Sequence, residues 1–167
     1  MKTLALGFLV VLSAFAQKIE IESDPGVDFS KFKTFAIRQG RLNSKNPSLN
    51  NDLIRKRLDA GIQKYLEAKG LALAPSGPSD LNVFYTLGAV RKTEVEAYPA
   101  GWRGWGTRVV RVPYTEGTLV IDLRDPSTRS LVWRAIARQD KSDAAKVEAK
   151  LDDMVKKSFD KYPPKAK

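Results

Sequence analysis

The stretch from Tyr114 to Ala137 constrains this fold more than any other. Two β-rich runs, Leu119-Val120-Ile121-Asp122-Leu123-Arg124 and Leu131-Val132-Trp133-Arg134-Ala135-Ile136-Ala137, flank the break Asp125-Pro126-Ser127-Thr128. Asp at the first turn position hydrogen-bonds the backbone ahead of it, and Pro at the second presets φ, so the break has a mechanism and the strands form an antiparallel hairpin. Side chains alternate across a strand. Leu119, Ile121 and Leu123 therefore share one face, and Leu131, Trp133 and Ala135 share the matching face of the second strand. That face is the expected core. The other is mixed, with Val120, Val132 and Ile136 among Asp122, Arg124, Arg134 and Arg138.

Around this hairpin the remaining pattern is strand, strand, helix, then more strands and a last helix. Gln17 to Ser23 alternates as a half-buried strand, and Asp24-Pro25-Gly26 ends it. Asp28 to Phe32 reads as a short helical turn; Lys33 to Ile37 is extended, with Phe35 and Ile37 buried; Gly40 to Pro47 is a polar loop. A helix runs from Ser48, its N-cap, to Lys69, with Ile54, Leu58, Ile62, Tyr65 and Leu66 at helical spacing. Gly70 stops it in a left-handed cap that brings Leu71 back onto Leu66. Asp80 to Leu87 alternates again. Extended runs to Tyr98 and from Thr107 to Val112 bracket the Gly-rich loop Pro99 to Gly106. Ser142 caps the last helix, whose stripe is Ala144, Val147, Leu151, Met154, Val155 and Phe159, and Pro163-Pro164 ends it.

Two amphipathic helices and a mostly antiparallel sheet bury their apolar faces by stacking. The expected fold is therefore an α+β two-layer sandwich, order β-β-α-β-β-β-β-α, with both helices on one face. Leu119, Ile121, Leu123, Leu131 and Trp133 should lie under Leu58, Ile62, Leu151 and Val155. Residues 17–164 are the expected single domain, followed by a basic tail, 165–167.

The start of the chain carries a different signal. Lys2, an apolar run from Leu4 to Leu12 and the A-x-A sequence Ala14-Phe15-Ala16 form a secretory signal peptide over residues 1–16. The run is too short for about 30 Å of hydrocarbon, which takes around 20 residues. Cleavage before Gln17 gives an expected soluble product of 151 residues in the periplasm or secreted. That product carries a net charge of +9, since the whole chain is +10 and only Lys2 is lost. A basic exported protein meets anionic lipid, lipopolysaccharide or peptidoglycan rather than nucleic acid, so those envelope components are the expected partners. The same charge is also what an ordinary solvated surface carries.

The chain has no Cys and no His. Their absence excludes Cys nucleophiles, Ser-His and Cys-His arrangements, imidazole bases and the common zinc sites, and leaves carboxylates, Lys and Tyr as possible catalytic groups. No metal site, cofactor or catalytic motif is expected. Gly101, Gly104 and Gly106 do not form a phosphate loop, because no Lys-Ser/Thr follows them.

Several segments together resemble the bacterial family called domain of unknown function 4136, found mostly in exported envelope proteins and lipoproteins. These are Asp28-Phe29-Ser30-Lys31-Phe32-Lys33-Thr34-Phe35-Ala36, Leu66-Glu67-Ala68-Lys69-Gly70, Ser79-Asp80-Leu81-Asn82-Val83, Gly117 to Leu123 with Leu131-Val132-Trp133-Arg134, and Tyr162-Pro163-Pro164. The resemblance covers nearly all of the mature chain and implies an envelope location with no assigned activity or site residues. Many members carry a lipobox Cys where this chain has Ala16-Gln17.

Two places remain as candidate sites. Asp122, in the middle of an apolar strand, reads as a cross-strand ion pair with Arg134. As a catalytic carboxylate partnered by Glu116 or Asp125 it would make the chain a hydrolase of cell-wall sugars, which needs two carboxylates a few ångströms apart. Trp102, Arg103 and Trp105 are the binding candidates, because indoles suit a membrane interface or a sugar face and Arg pairs with phosphate. The leading expectation is a non-catalytic binding or scaffolding module of the envelope. The sequence carries no signal for an oligomeric state.

Overall fold

The computed structural model describes the backbone of residues 17–99, 107–139 and 144–164, and the side chains of 17–88, 117–139 and 144–164. Six strands form one sheet: β1 Lys18–Ser23, β2 Thr34–Asn43, β3 Ala72–Leu73, β4 Leu81–Pro99, β5 Thr107–Arg124 and β6 Leu131–Gln139, in the order β1-β6-β5-β4-β2-β3. Helices α1 Asp52–Ala68 and α2 Ala144–Phe159 pack on each other and on the sheet. The chain order is β-β-α-β-β-β-β-α, the α+β sandwich that the pattern predicts. The first of the four strands between the helices is the two-residue β3, and the runs up to Tyr98 belong to one strand with Leu81.

The hairpin at the centre matches its expected register. Leu119 lies opposite Ala137, Ile121 opposite Ala135, Leu123 opposite Trp133, and Asp122 opposite Arg134. In the turn, the Asp125 carboxylate accepts from the Ser127 amide at 2.8 Å, the local bond that makes Asp a turn former. Leu119, Ile121, Leu123, Trp133, Ala135 and Ala137 are fully buried and share one core cluster with Leu58, Ile62, Leu151, Val155 and Phe159; α2 is the helix that packs on β5 and β6, while α1 packs on β2, β3 and α2. Trp133 stacks on Phe159, ring centroids 5.5 Å apart.

Leu131 departs from this pattern. It is half-buried while Val132 is buried, because a bulge puts Leu131 opposite Arg124 directly after Trp133 opposite Leu123. One extra residue in β6 breaks the alternation there. A second bulge lies between Ile37 and Gln39 in β2; ahead of it, where the register with β4 is unbroken, Phe35 and Ala36 are buried and Ile37 is partly so.

Three boundaries also differ from the sequence reading. The polar stretch from Gly40 is strand as far as Asn43, because β2 runs parallel to β4 and pairs with it up to Gly88. Backbone bonding to a neighbour overrides the low strand propensity of Gly40 and Asn43. The first helix starts at Asp52 rather than after Ser48, since the Asn51 side chain accepts from the Ile54 amide at 3.0 Å. Pro47–Leu49 forms a separate 3-10 turn that seats Leu49 in the core.

The end of α1 is as expected. Gly70 has φ of 88°, its amide donates to Glu67 at 2.9 Å, and the Leu71 amide donates to Leu66 at 3.2 Å. This pair of bonds is the Schellman closure, and only Gly enters the left-handed region without a Cβ penalty. Ser142, the expected cap of α2, lies outside the described residues.

Candidate functional site

Among the described residues, three places outside the core stand out: a ribbon that outruns the sheet, the open sheet face around Asp122, and a groove at one end of the helices.

The ribbon arises from unequal strand lengths. β4 and β5 pair without a register break from Asn82 opposite Arg124 to Pro99 opposite Thr107. Among the described residues their outer neighbours pair over a shorter span: β2 ends opposite Gly88, and β6 pairs as far as Gly117. Residues 89–99 and 107–116 therefore continue as a two-stranded ribbon. At about 3.3 Å per residue, ten residues extend roughly 33 Å. It leaves the sheet at a close approach, where a Cβ on Gly117 would come within 2.5 Å of Val147 Cγ2 on α2. That close approach at Gly117 admits only Gly without displacing Val147.

Trp102, Arg103 and Trp105 lie outside the described residues, within 100–106, the segment that connects the two ends of the ribbon. By sequence alone the flanks are two separate extended runs in an irregular region. Their pairing could have been anticipated from the β-branched residues Val95, Val109, Val110 and Val112 on either side of one Gly-rich connection.

Asp122 lies on the sheet face opposite the helices and is 8% exposed. Arg134 engages it in a fork, Nε to Oδ1 at 2.7 Å and Nη2 to Oδ2 at 2.9 Å, and Arg124 Nη2 reaches Oδ2 at 3.3 Å. Its hydrogen bond to Asp122 holds the Arg134 guanidinium protonated even more firmly than usual. Arg124 also lies over the Phe84 ring at 5.3 Å. Both carboxylate oxygens are thus occupied by guanidinium donors. Of the two carboxylates considered as its partner, Asp125 is turned into its own loop, bound by Ser127 and facing Lys31 at 3.6 Å. Glu116 is outside the described side chains. Beside Asp122 is a shallow depression of about 230 Å³ lined by Gln39, Arg41, Phe84, Thr86 and Arg124.

The groove is a place that sequence reasoning did not single out. It has a volume of about 1040 Å³ and is lined by the 22–30 loop, Phe29, Phe32, Lys33, Lys69, Leu71 and the segment Tyr162 to Pro164. Edge-to-face contacts join Phe29 to Phe32 and to Tyr162, and Tyr162 to Trp133. Burial pushes the Tyr162 hydroxyl up to about 12. The groove gathers residues more than a hundred positions apart, which explains why no local pattern announced it.

Among the described residues, no three or more His, Cys, Asp or Glu side chains are grouped to hold a metal ion. No helix among them is long and apolar enough to cross a membrane.

The model of a domain of unknown function (DUF4136) matches residues 19–164. Comparison with curated proteins returns no match. Among solved structures, a PDZ domain protein from Parabacteroides distasonis superimposes with a TM-score of 0.57 at 19% identity, over 89% of this chain and 35% of that one. The chain thus spans about a third of that protein's length. The PelC dodecamer from Paraburkholderia phytofirmans superimposes with a TM-score of 0.50 at 12% identity, over 86% of this chain and 95% of that one. At such identities the likeness is one of fold alone.

Proposed function

The chain belongs to the DUF4136 family, and from that premise we propose that it is an exported, non-catalytic envelope module that binds an anionic envelope component through Trp102, Arg103 and Trp105. The observation that supports this reading is the β4–β5 ribbon. Two strands that, among the described residues, outrun both neighbours by about ten residues add little to the core, yet they end where the chain carries two indoles and a guanidinium. Indoles partition to the boundary between water and lipid or stack on sugar faces, and Arg binds phosphate in a fork. A basic chain is drawn toward an anionic surface before any specific contact forms.

Export is part of the same proposal and rests on the leader at residues 1–16. Mass measurement of the exported protein should find Gln17 as its first residue and no acyl chain. An intact Met1 or a lipidated product overturns that part.

Binding is tested by indole emission. Trp133 is fully buried and serves as a constant background, so a response reports on Trp102 and Trp105. Anionic vesicles, lipopolysaccharide or peptidoglycan fragments should each be added in turn. At least one should shift the emission, less so as salt screens the attraction. The shift should vanish in the Trp102→Ala/Trp105→Ala double variant with the fold intact. No response to any of the three rejects the reading.

A further inference from the structure

The ribbon has two outer edges, and the geometry points to one of them, the β4 edge, as a self-association surface that pairs antiparallel with the same edge of a second copy. This inference is independent of what the residues 100–106 bind.

The direction of each backbone group follows from the ladder. The Asp24 amide donates to the Val132 carbonyl at 3.0 Å, so in the β1–β6 pair the even-numbered residues exchange hydrogen bonds. In an antiparallel ladder, bonded and non-bonded pairs alternate. Odd-numbered β6 residues therefore bond to odd-numbered β5 residues, and even-numbered β5 residues bond to even-numbered β4 residues. Odd-numbered β4 residues are left to bond toward β2. Within the sheet they do so, since Ala36 pairs with Asn82 and thus bonds to its neighbours Leu81 and Val83.

Beyond Gly88 the same odd-numbered groups face outward with no strand beside them among the described residues. The two prolines of the ribbon agree with this assignment: Pro99 and Pro113 are both odd-numbered, so neither removes a bond from the β4–β5 ladder. Pro113 interrupts the outer edge of β5, the device that natural edge strands use against pairing. No proline interrupts β4 from Ala89 to Tyr98. Its outward N–H and C=O groups at Ala89, Arg91, Thr93, Val95 and Ala97 form an unbroken row.

A two-stranded hairpin alone is marginal in water, and further strands are what stabilise it. The sequence of the open edge is complementary to itself. An antiparallel pair centred on Thr93 sets Lys92 opposite Glu94 of the second copy, and Glu94 opposite its Lys92. That register also sets odd-numbered residues opposite odd-numbered ones, as the outward bonds demand. The product is a four-stranded ribbon about a twofold axis, β5-β4-β4-β5, in which each copy presents the same surface.

Sedimentation velocity from low to high micromolar concentration tests this on the full chain. The wild type should form a dimer. Thr93→Pro removes one outward donor without touching the β4–β5 ladder and should weaken the dimer by roughly tenfold or more, as should Lys92→Glu, which sets like charges opposite each other. Lys92→Glu/Glu94→Lys should restore the dimer. The Trp102→Ala/Trp105→Ala variant should dimerise as the wild type does, which separates this inference from the binding proposal. Circular dichroism and the unfolding midpoint check each fold. If Thr93→Pro unfolds, the charge pair decides. A wild type that stays monomeric, or a dimer that survives Lys92→Glu unchanged, overturns the inference.

Discussion

Arg134 and Asp122 stand directly opposite on β6 and β5, and the guanidinium holds both carboxylate oxygens, at 2.7 and 2.9 Å. The carboxylate is nearly buried on a face that the helices do not cover, so this pair is neither a free surface contact nor a core one. Asp122→Asn leaves Arg134 and Arg124 with a neutral partner and should cost about 1–3 kcal/mol in urea unfolding. Replacing both partners by Val should cost much less, because no charge is then stranded and Val suits a strand. A cost below about 0.5 kcal/mol for Asp122→Asn would mean that solvent screens the pair as it does an exposed one.

Trp133 is the largest fully buried side chain among the described residues, stacked on Phe159 and in edge contact with Tyr162. Trp133→Ala should cost about 3–5 kcal/mol, the range for deleting a large aromatic from a core. Equilibrium denaturation measures it directly, and a cost below about 1 kcal/mol would contradict the burial.

Gly117 packs so closely under α2 that an added Cβ would fall 2.5 and 2.7 Å from the two methyl carbons of Val147. Gly117→Ala should destabilise by about 1–3 kcal/mol through overpacking. In Val147→Ala those methyls are gone, so Gly117→Ala should cost much less in that background. A double-mutant cycle that shows simple additivity would place the strain elsewhere.

Glu20 accepts hydrogen bonds from Arg138 and Lys18, which lower its carboxyl from the ordinary 4.5 to about 2. A depressed carboxyl stabilises the fold above its unfolded value, and that contribution is lost as pH falls from about 4.5 toward 2. A carboxyl-detected NMR titration should find the Glu20 midpoint near 2. Glu20→Gln should flatten the fall of stability over that window, and since the group is half-exposed, added salt should shrink the difference between the two proteins.

Local signals survive into the structure wherever the cause is itself local. The turn at Asp125 is closed by its own side chain, Gly70 stops α1 by a backbone angle, and Leu119, Ile121 and Leu123 alternate because a strand has period two. The same holds for the stripe Val147, Leu151, Val155 and Phe159 on α2. The Asp122–Arg134 pair was legible too, because a hairpin fixes its own register.

What depends on a neighbouring strand was not legible. Leu131 loses its core position to a bulge, Gly40 joins β2 because β4 lies alongside, and the ribbon exists because β4 and β5 bond to each other past the ends of β2 and β6. Backbone hydrogen bonds carry no side-chain signature, so the length of a strand is set by its partner rather than by its own residues. The groove follows the same logic at longer range: Phe29, Phe32 and Tyr162 meet only after the sheet and both helices have closed. Sequence alone thus determined which residues turn, cap and face the core, while the tertiary structure decided how far each strand runs and which distant side chains share a surface.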